Sequence, residues 1–93
     1  MSAESLLAIQ PCKNKAAWEV RPRKQLKLNL LDLAIILYTT KYQILVDTPH
    51  LLIVKKDYVQ CTIYPSGRML LDGVDDRNKG LDFALTILSY IPT

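Results

Sequence analysis

Ninety-three residues, 49% hydrophobic and 23% charged, suit one small globular domain that buries about 60–65% of its unfolded surface, and they leave no room for a second. Three glycines and five prolines exclude a low-complexity chain, and the longest uninterrupted apolar run, Leu33 to Tyr38, falls far short of the roughly 20 residues of a membrane span. The net charge of +3 hides an asymmetry: Lys13, Lys15, Arg21, Arg23, Lys24 and Lys27 lie within fifteen positions holding one acid, Glu19, whereas residues 51–93 carry five bases and five acids.

Residues 1–12 read as a short leader with a turn of helix through Leu6, Leu7 and Ile9, stopped by Pro11. The start, Met1 to Ser5, lacks the positive n-region of a secretory signal, so a cytoplasmic location is expected. In that compartment Cys12 and Cys61 are plain thiols, with Cys61 filling the core. Ala16, Trp18 and Val20 alternate with Ala17, Glu19 and Arg21, which predicts a short strand ended by Pro22. A basic connector over 21–28 follows. From Asn29, a suitable N-cap, Leu30, Leu33, Ala34 and Leu37 recur at i, i+3, i+4 and i+7 and predict a helix to about Thr39. Leu31, Ile35 and Ile36 widen its apolar face, as in a helix covered on more than one side, while a buried strand over Leu33 to Tyr38, with the β-branched Thr39-Thr40 pair after it, is the competing reading.

Gln43 to Val46 and Leu51 to Lys55 read as strands about an Asp47-Thr48-Pro49 turn. The next hairpin is the sharpest signal. Val59, Cys61 and Ile63 share one face with Met69 and Leu71, while Tyr58, Gln60, Thr62 and Tyr64 share the other with Arg68, Leu70 and Asp72, across a Pro65-Ser66-Gly67 turn. Gly73 ends the last strand. Asp75 or Asp76 then caps a helix whose Leu81, Ala84, Leu85 and Leu88 repeat at helical spacing, stopped by Pro92. The fold class is therefore α+β, a single domain over 1–93 with an antiparallel sheet of four to five strands. Two helices of this size cover one face of such a sheet and leave the other open.

The run Ile63-Tyr64-Pro65-Ser66-Gly67-Arg68-Met69-Leu70-Leu71-Asp72-Gly73 resembles the hairpin of one repeat of the TATA-box-binding protein family: an aromatic, small residues, glycine, a base, an apolar pair and a second glycine. Asp32-Leu33-Ala34-Ile35 with Tyr42 is similar to that repeat's first helix, and Leu51-Leu52-Ile53-Val54 to the strand before its hairpin. The resemblance covers roughly residues 16–91. It implies a curved sheet, half of a saddle, with two helices on the convex side and a concave face that lies in the DNA minor groove, phenylalanines wedging base steps. Tyr64 falls at one wedge and Arg68 where a base approaches the DNA backbone. The second wedge would fall near Asp47 to His50, where this chain has an acid, a threonine, a proline and a histidine, and the family carries two repeats where this chain has one. A homodimer would restore the saddle.

These readings lead to a non-enzymatic binding module, a homodimer that uses the open sheet face or a sheet edge for protein interaction. The alternative is nucleic-acid binding by a dimeric saddle. The candidate binding face is Leu52, Val54, Tyr58, Gln60, Thr62, Tyr64, Arg68 and Leu70, an apolar surface of the kind that marks an interface. The candidate phosphate contacts are Arg21, Arg23, Lys24, Lys27, Lys55 and Lys56. No metal, cofactor or membrane is expected: His50 is the sole histidine, without a partner at ligand spacing, and the Asp75-Asp76 pair suits capping.

Overall fold

The computed structural model describes residues 7–11, 17–24 and 26–91. In chain order the elements are β1 (Leu7–Pro11), β2 (Ala17–Pro22), α1 (Leu30–Leu37), β3 (Gln43–Asp47), β4 (Leu52–Lys56), β5 (Val59–Ile63), β6 (Met69–Asp72) and α2 (Arg77–Ser89). The strands form one sheet of six in the order β1-β2-β6-β5-β4-β3, antiparallel throughout. The α+β architecture with two helices agrees with the sequence reading, but the strand count exceeds the four to five expected.

The extra strand lies in the leader. Leu7–Pro11 is not a turn of helix but pairs with β2 from Leu7↔Pro22 to Pro11↔Trp18, buries Leu7 and packs Ile9 against the core. The physical reason is edge satisfaction: β2 has a row of backbone donors and acceptors beyond β6, and an alternating Leu-x-Ile segment supplies both the ladder and a core face. Pro11 is tolerated because β1 is itself an edge. Leu6 and Cys12 lie outside the described residues. Arg21 and Pro22, where the expected strand and the expected connector overlap, are the last residues of β2. The rest of the connector is tied to the β5–β6 turn by the Leu28 N–H, which donates to the Pro65 carbonyl at 2.7 Å.

Both helices are capped by the side chains the sequence offers. Asn29 Oδ1 accepts from the Asp32 N–H at 3.1 Å, and Asp76 Oδ1 from the Lys79 N–H at 2.9 Å. Leu30, Leu33, Ala34 and Leu37 of α1 and Gly80, Leu81, Ala84 and Ile87 of α2 face the sheet. Both helices share a single cluster with Val20, Leu52, Val54, Cys61, Ile63, Met69 and Leu71. Gly80 is there for closeness: a Cβ would come within 3.0 Å of the Ile9 side chain on β1. The outer side of α1 stays uncovered, with Leu31, Ile35 and Tyr38 exposed. Among the described residues, no helix is long and apolar enough to cross a membrane.

Candidate functional site

Strand register assigns the faces. Opposed residues in an antiparallel sheet share a side, so Leu52–Ile63–Met69–Val20 and Val54–Cys61–Leu71–Trp18 are core rows beneath the helices. On the other face one row runs Val46–Ile53–Thr62–Leu70–Glu19–Gln10, and beside it runs Lys55–Gln60–Asp72–Ala17. Gln60, Thr62 and Leu70 are thus where the hairpin's alternation places them.

Leu52 and Val54 are not on that face. Both are fully buried at 0% exposure, paired with Ile63 and Cys61. The sequence reading carried them to the open side because β4 is apolar at Leu52, Ile53 and Val54 alike, so alternation chooses no face. The turn chooses it: Asp57 and Tyr58 form a two-residue loop, with Asp57 left-handed at φ 56°, that sets Lys56 opposite Val59 and so Ile53 opposite Thr62. Tyr58 is accordingly a turn residue, 90% exposed, rather than a member of a strand face. Ile53 and Val46, which the sequence reading omitted, take the two lost positions. Val46 reaches the open face through a bulge at Leu45.

Among the described residues the open face has one buried charge. Glu19, 7% exposed, projects from β2 beside Leu70. Its Oε2 accepts from Arg68 Nε at 2.5 Å and from an Arg21 terminal nitrogen at 3.2 Å, while Oε1 accepts from Gln10 Nε2 at 2.7 Å. These donors, with Arg68 foremost, outweigh the opposing cost of burial and hold the carboxyl well below its usual range, at about 2. The Arg68 guanidinium also lies over the Tyr64 ring, 5.1 Å from its centroid. Tyr64, Arg68, Glu19 and Arg21 therefore form one ordered cluster at the hairpin end of the face. Glu19 was visible in the sequence only as the single acid of the basic stretch.

The basic residues do not converge as a set. Lys55 lies on the open face, but Lys56, its neighbour on a pleated strand, points to the helix side and sits 5.2 Å from the Tyr42 ring centroid. Arg21, Lys24, Pro22, Ser66 and Arg68 line one small concavity, while Arg23 and Lys27 lie along the exposed connector. On the helix side, a groove of about 720 Å³ runs between the Asp57-Tyr58 turn and α2 over Tyr42, Val59, Val74 and Phe83. Its rim is partly self-paired, Lys79 Nζ lying 3.2 Å from Asp75 Oδ1. Cys61 is buried, and burial pushes its thiol far above the ordinary range. Among the described residues no group of three or more His, Cys, Asp or Glu side chains is placed to hold a metal ion.

The Glu19 cluster has a pH signature. Its carboxyl titrates near 4.5 when free and about 2 in the fold, so the stability it contributes is complete above the free value and is lost as pH falls from there through about 2. Urea midpoints measured from about pH 6 down to about pH 3 are expected to fall more steeply for the natural chain than for Glu19→Gln. Parallel curves would show that Glu19 is not held in its charged form by the arginines.

No protein-family model, curated protein or solved structure matches the chain.

Proposed function

We propose that the chain is a non-enzymatic binding module that docks a protein surface, in the first instance a second copy of itself, on the open face of its sheet. The observation that carries this is the row Val46–Ile53–Thr62–Leu70: three half-buried aliphatic side chains and a threonine span β3, β4, β5 and β6 on the side away from both helices. Such a row, rimmed by Lys55, Gln60, Asp72 and the Glu19 cluster, has the apolar centre and polar margin of a transient interface. Charges there nearly balance, with Arg21, Lys55 and Arg68 against Glu19 and Asp72, which suits a protein surface better than a polyanion. The resemblance to a TATA-box-binding protein repeat supports the same surface, since that family meets its ligand with the face opposite its helices; it does not by itself transfer the ligand.

Light scattering across a concentration series tests the reading. The natural chain is expected to show a concentration-dependent mass above the monomer, and Leu70→Asp or Ile53→Asp to return it to the monomer while circular dichroism stays unchanged. A monomer at every concentration for all three chains would remove self-association through this face. Retardation of duplex DNA that falls steeply with salt would move the assignment to nucleic acid.

A further inference from the structure

We propose that the concavity between the C-terminal end of β2 and the β5–β6 turn binds a phosphate monoester, with Arg21, Lys24, Arg68 and Ser66 as its ligands and Glu19 as the residue that positions both guanidinium groups. The space, about 190 Å³, is lined by those four ligands and Pro22. That lining is a donor set: two guanidiniums, an ammonium and a hydroxyl, with no acidic side chain among the described residues that line it. The site stands whether or not the rest of the sheet face docks a protein.

Glu19 makes the arrangement more than a group of surface cations. One of its oxygens accepts from both Arg68 Nε and Arg21, so the two guanidiniums are neighbours, each anchored at one nitrogen of a group that has five N–H donors in all. The Tyr64 ring braces Arg68 from the side. The side chains of Arg21 and Arg68 remain 59% and 38% exposed, so the anchorage does not seal them. Lys24 is brought to the turn because the connector is fastened there, by the Leu28–Pro65 hydrogen bond and by Leu26 and Pro22 packing close to Gly67. Ser66 Oγ lies within 3.4 Å of the Arg68 N–H as an acceptor, which leaves its proton to donate.

Charge and size choose the ligand. Three cations against the Glu19 carboxylate leave a local charge of two positives, the complement of a monoester that carries about −1.5 to −2 at neutral pH rather than of a singly charged diester. Among the described residues no aromatic ring lines the space, and the nearby Tyr64 ring is occupied by Arg68, so these residues offer a nucleobase no platform. The ligand is thus recognised through its phosphate alone, whether free, on a small molecule or on a serine side chain.

Nitrogen-15 amide shifts provide the test. Inorganic phosphate, a phosphoserine peptide with its unphosphorylated twin, and an oligonucleotide without terminal phosphates are titrated separately at low salt. Saturable shifts at Arg21, Ser66, Gly67 and Arg68 are expected with phosphate and the phosphopeptide, and none with the unphosphorylated peptide. Tighter binding of the phosphopeptide than of phosphate identifies a protein source, and the reverse a small-molecule one. Arg68→Ala and Lys24→Ala each weaken binding about tenfold, the scale of one charge-assisted contact. Glu19→Gln is the decisive variant: it removes a negative charge, so plain electrostatics predicts tighter binding, whereas loss of the positioning carboxylate predicts binding weaker by about threefold or more. Absence of saturable shifts with both phosphate and phosphopeptide overturns the site. An oligonucleotide that binds these residues more tightly than either overturns the monoester, and tighter binding by Glu19→Gln overturns the role of Glu19.

Discussion

Replacing Gly73 by alanine is expected to cost about 3 kcal/mol or more, a large share of the roughly 5–15 kcal/mol that holds a domain of this size together. Gly73 closes β6 with φ at 90°, a conformation in which a Cβ is strained wherever it points. Here the added carbon would also overlap the Tyr58 carbonyl oxygen in the neighbouring turn. That obstacle is backbone, so relief requires β6 to part from the Asp57-Tyr58 loop just where the chain departs for α2. Gly67 is the control. It shares the positive φ, at 92°, but its added Cβ would meet the end of the Leu26 side chain and the edge of the Pro22 ring, each at 3.0 Å. Side chains give more readily than backbone, so Gly67→Ala is expected to cost about 1–2 kcal/mol. Urea unfolding of the three chains checks the pair, and equal midpoints for the two variants would mean that the close approach at Gly73 is not a constraint.

Leu52→Ala is expected to destabilise the chain by about 2–5 kcal/mol, and Ile53→Ala by less than about 1.5 kcal/mol. The two residues are adjacent and similar in size, so the contrast measures the face assignment and little else. Leu52 is at 0% exposure between β5 and the helices, and its truncation leaves a cavity that the rigid ladder around it cannot close. Ile53 is half-buried on the open face, where truncation leaves no enclosed void. If Ile53→Ala proved the costlier change, the register through the Asp57-Tyr58 turn would be wrong by one residue. The row proposed as a docking surface would then be wrong as well.

Legibility from sequence followed the strength of local pattern. The β5–β6 hairpin alternates apolar and polar residues without ambiguity on either side of a glycine turn, and its faces were read correctly from Val59, Cys61 and Ile63 onward. Both helices form where caps and spacing pointed: Asn29 and Asp76, the latter one of two aspartates read as caps, sit just before the periodic residues, and the strand that competes over Leu33 to Tyr38 does not form. In β4 the same logic had nothing to work on. Three successive apolar residues carry no alternation, and the side each takes depends on a two-residue turn and on the strand it pairs with. The leader failed for a related reason. Leu7 and Ile9 satisfy a strand or a helical turn equally well over five residues, and only the free edge of β2 decides between them.

The functional candidates divide the same way. Gln60, Thr62, Tyr64, Arg68 and Leu70 belong to the hairpin, and its alternation assigns them to one face. Lys55 and Lys56, adjacent in sequence, were grouped as contacts for one ligand, yet a pleated strand sends neighbours to opposite sides. Glu19 was counted as an interruption of a basic run. Its importance arises from Arg68, forty-nine residues away, which reaches it because β2 and β6 are neighbours in the sheet.

The sequence by itself determined the α+β class, the caps and apolar spacing from which the two helices start, and the two-sided central hairpin with its Pro65-Ser66-Gly67 turn. Each of these rests on interactions within a few residues: caps, periodicity and turn geometry. Tertiary structure alone decided that Leu7–Pro11 of the leader is a sixth strand, that Leu52 and Val54 are core while Ile53 and Val46 are surface, and that Glu19 binds Arg68 and Arg21 into one cluster. Those outcomes depend on register and on strands distant in sequence, and a hydrogen-bond ladder between such strands leaves no trace in the local order of residues.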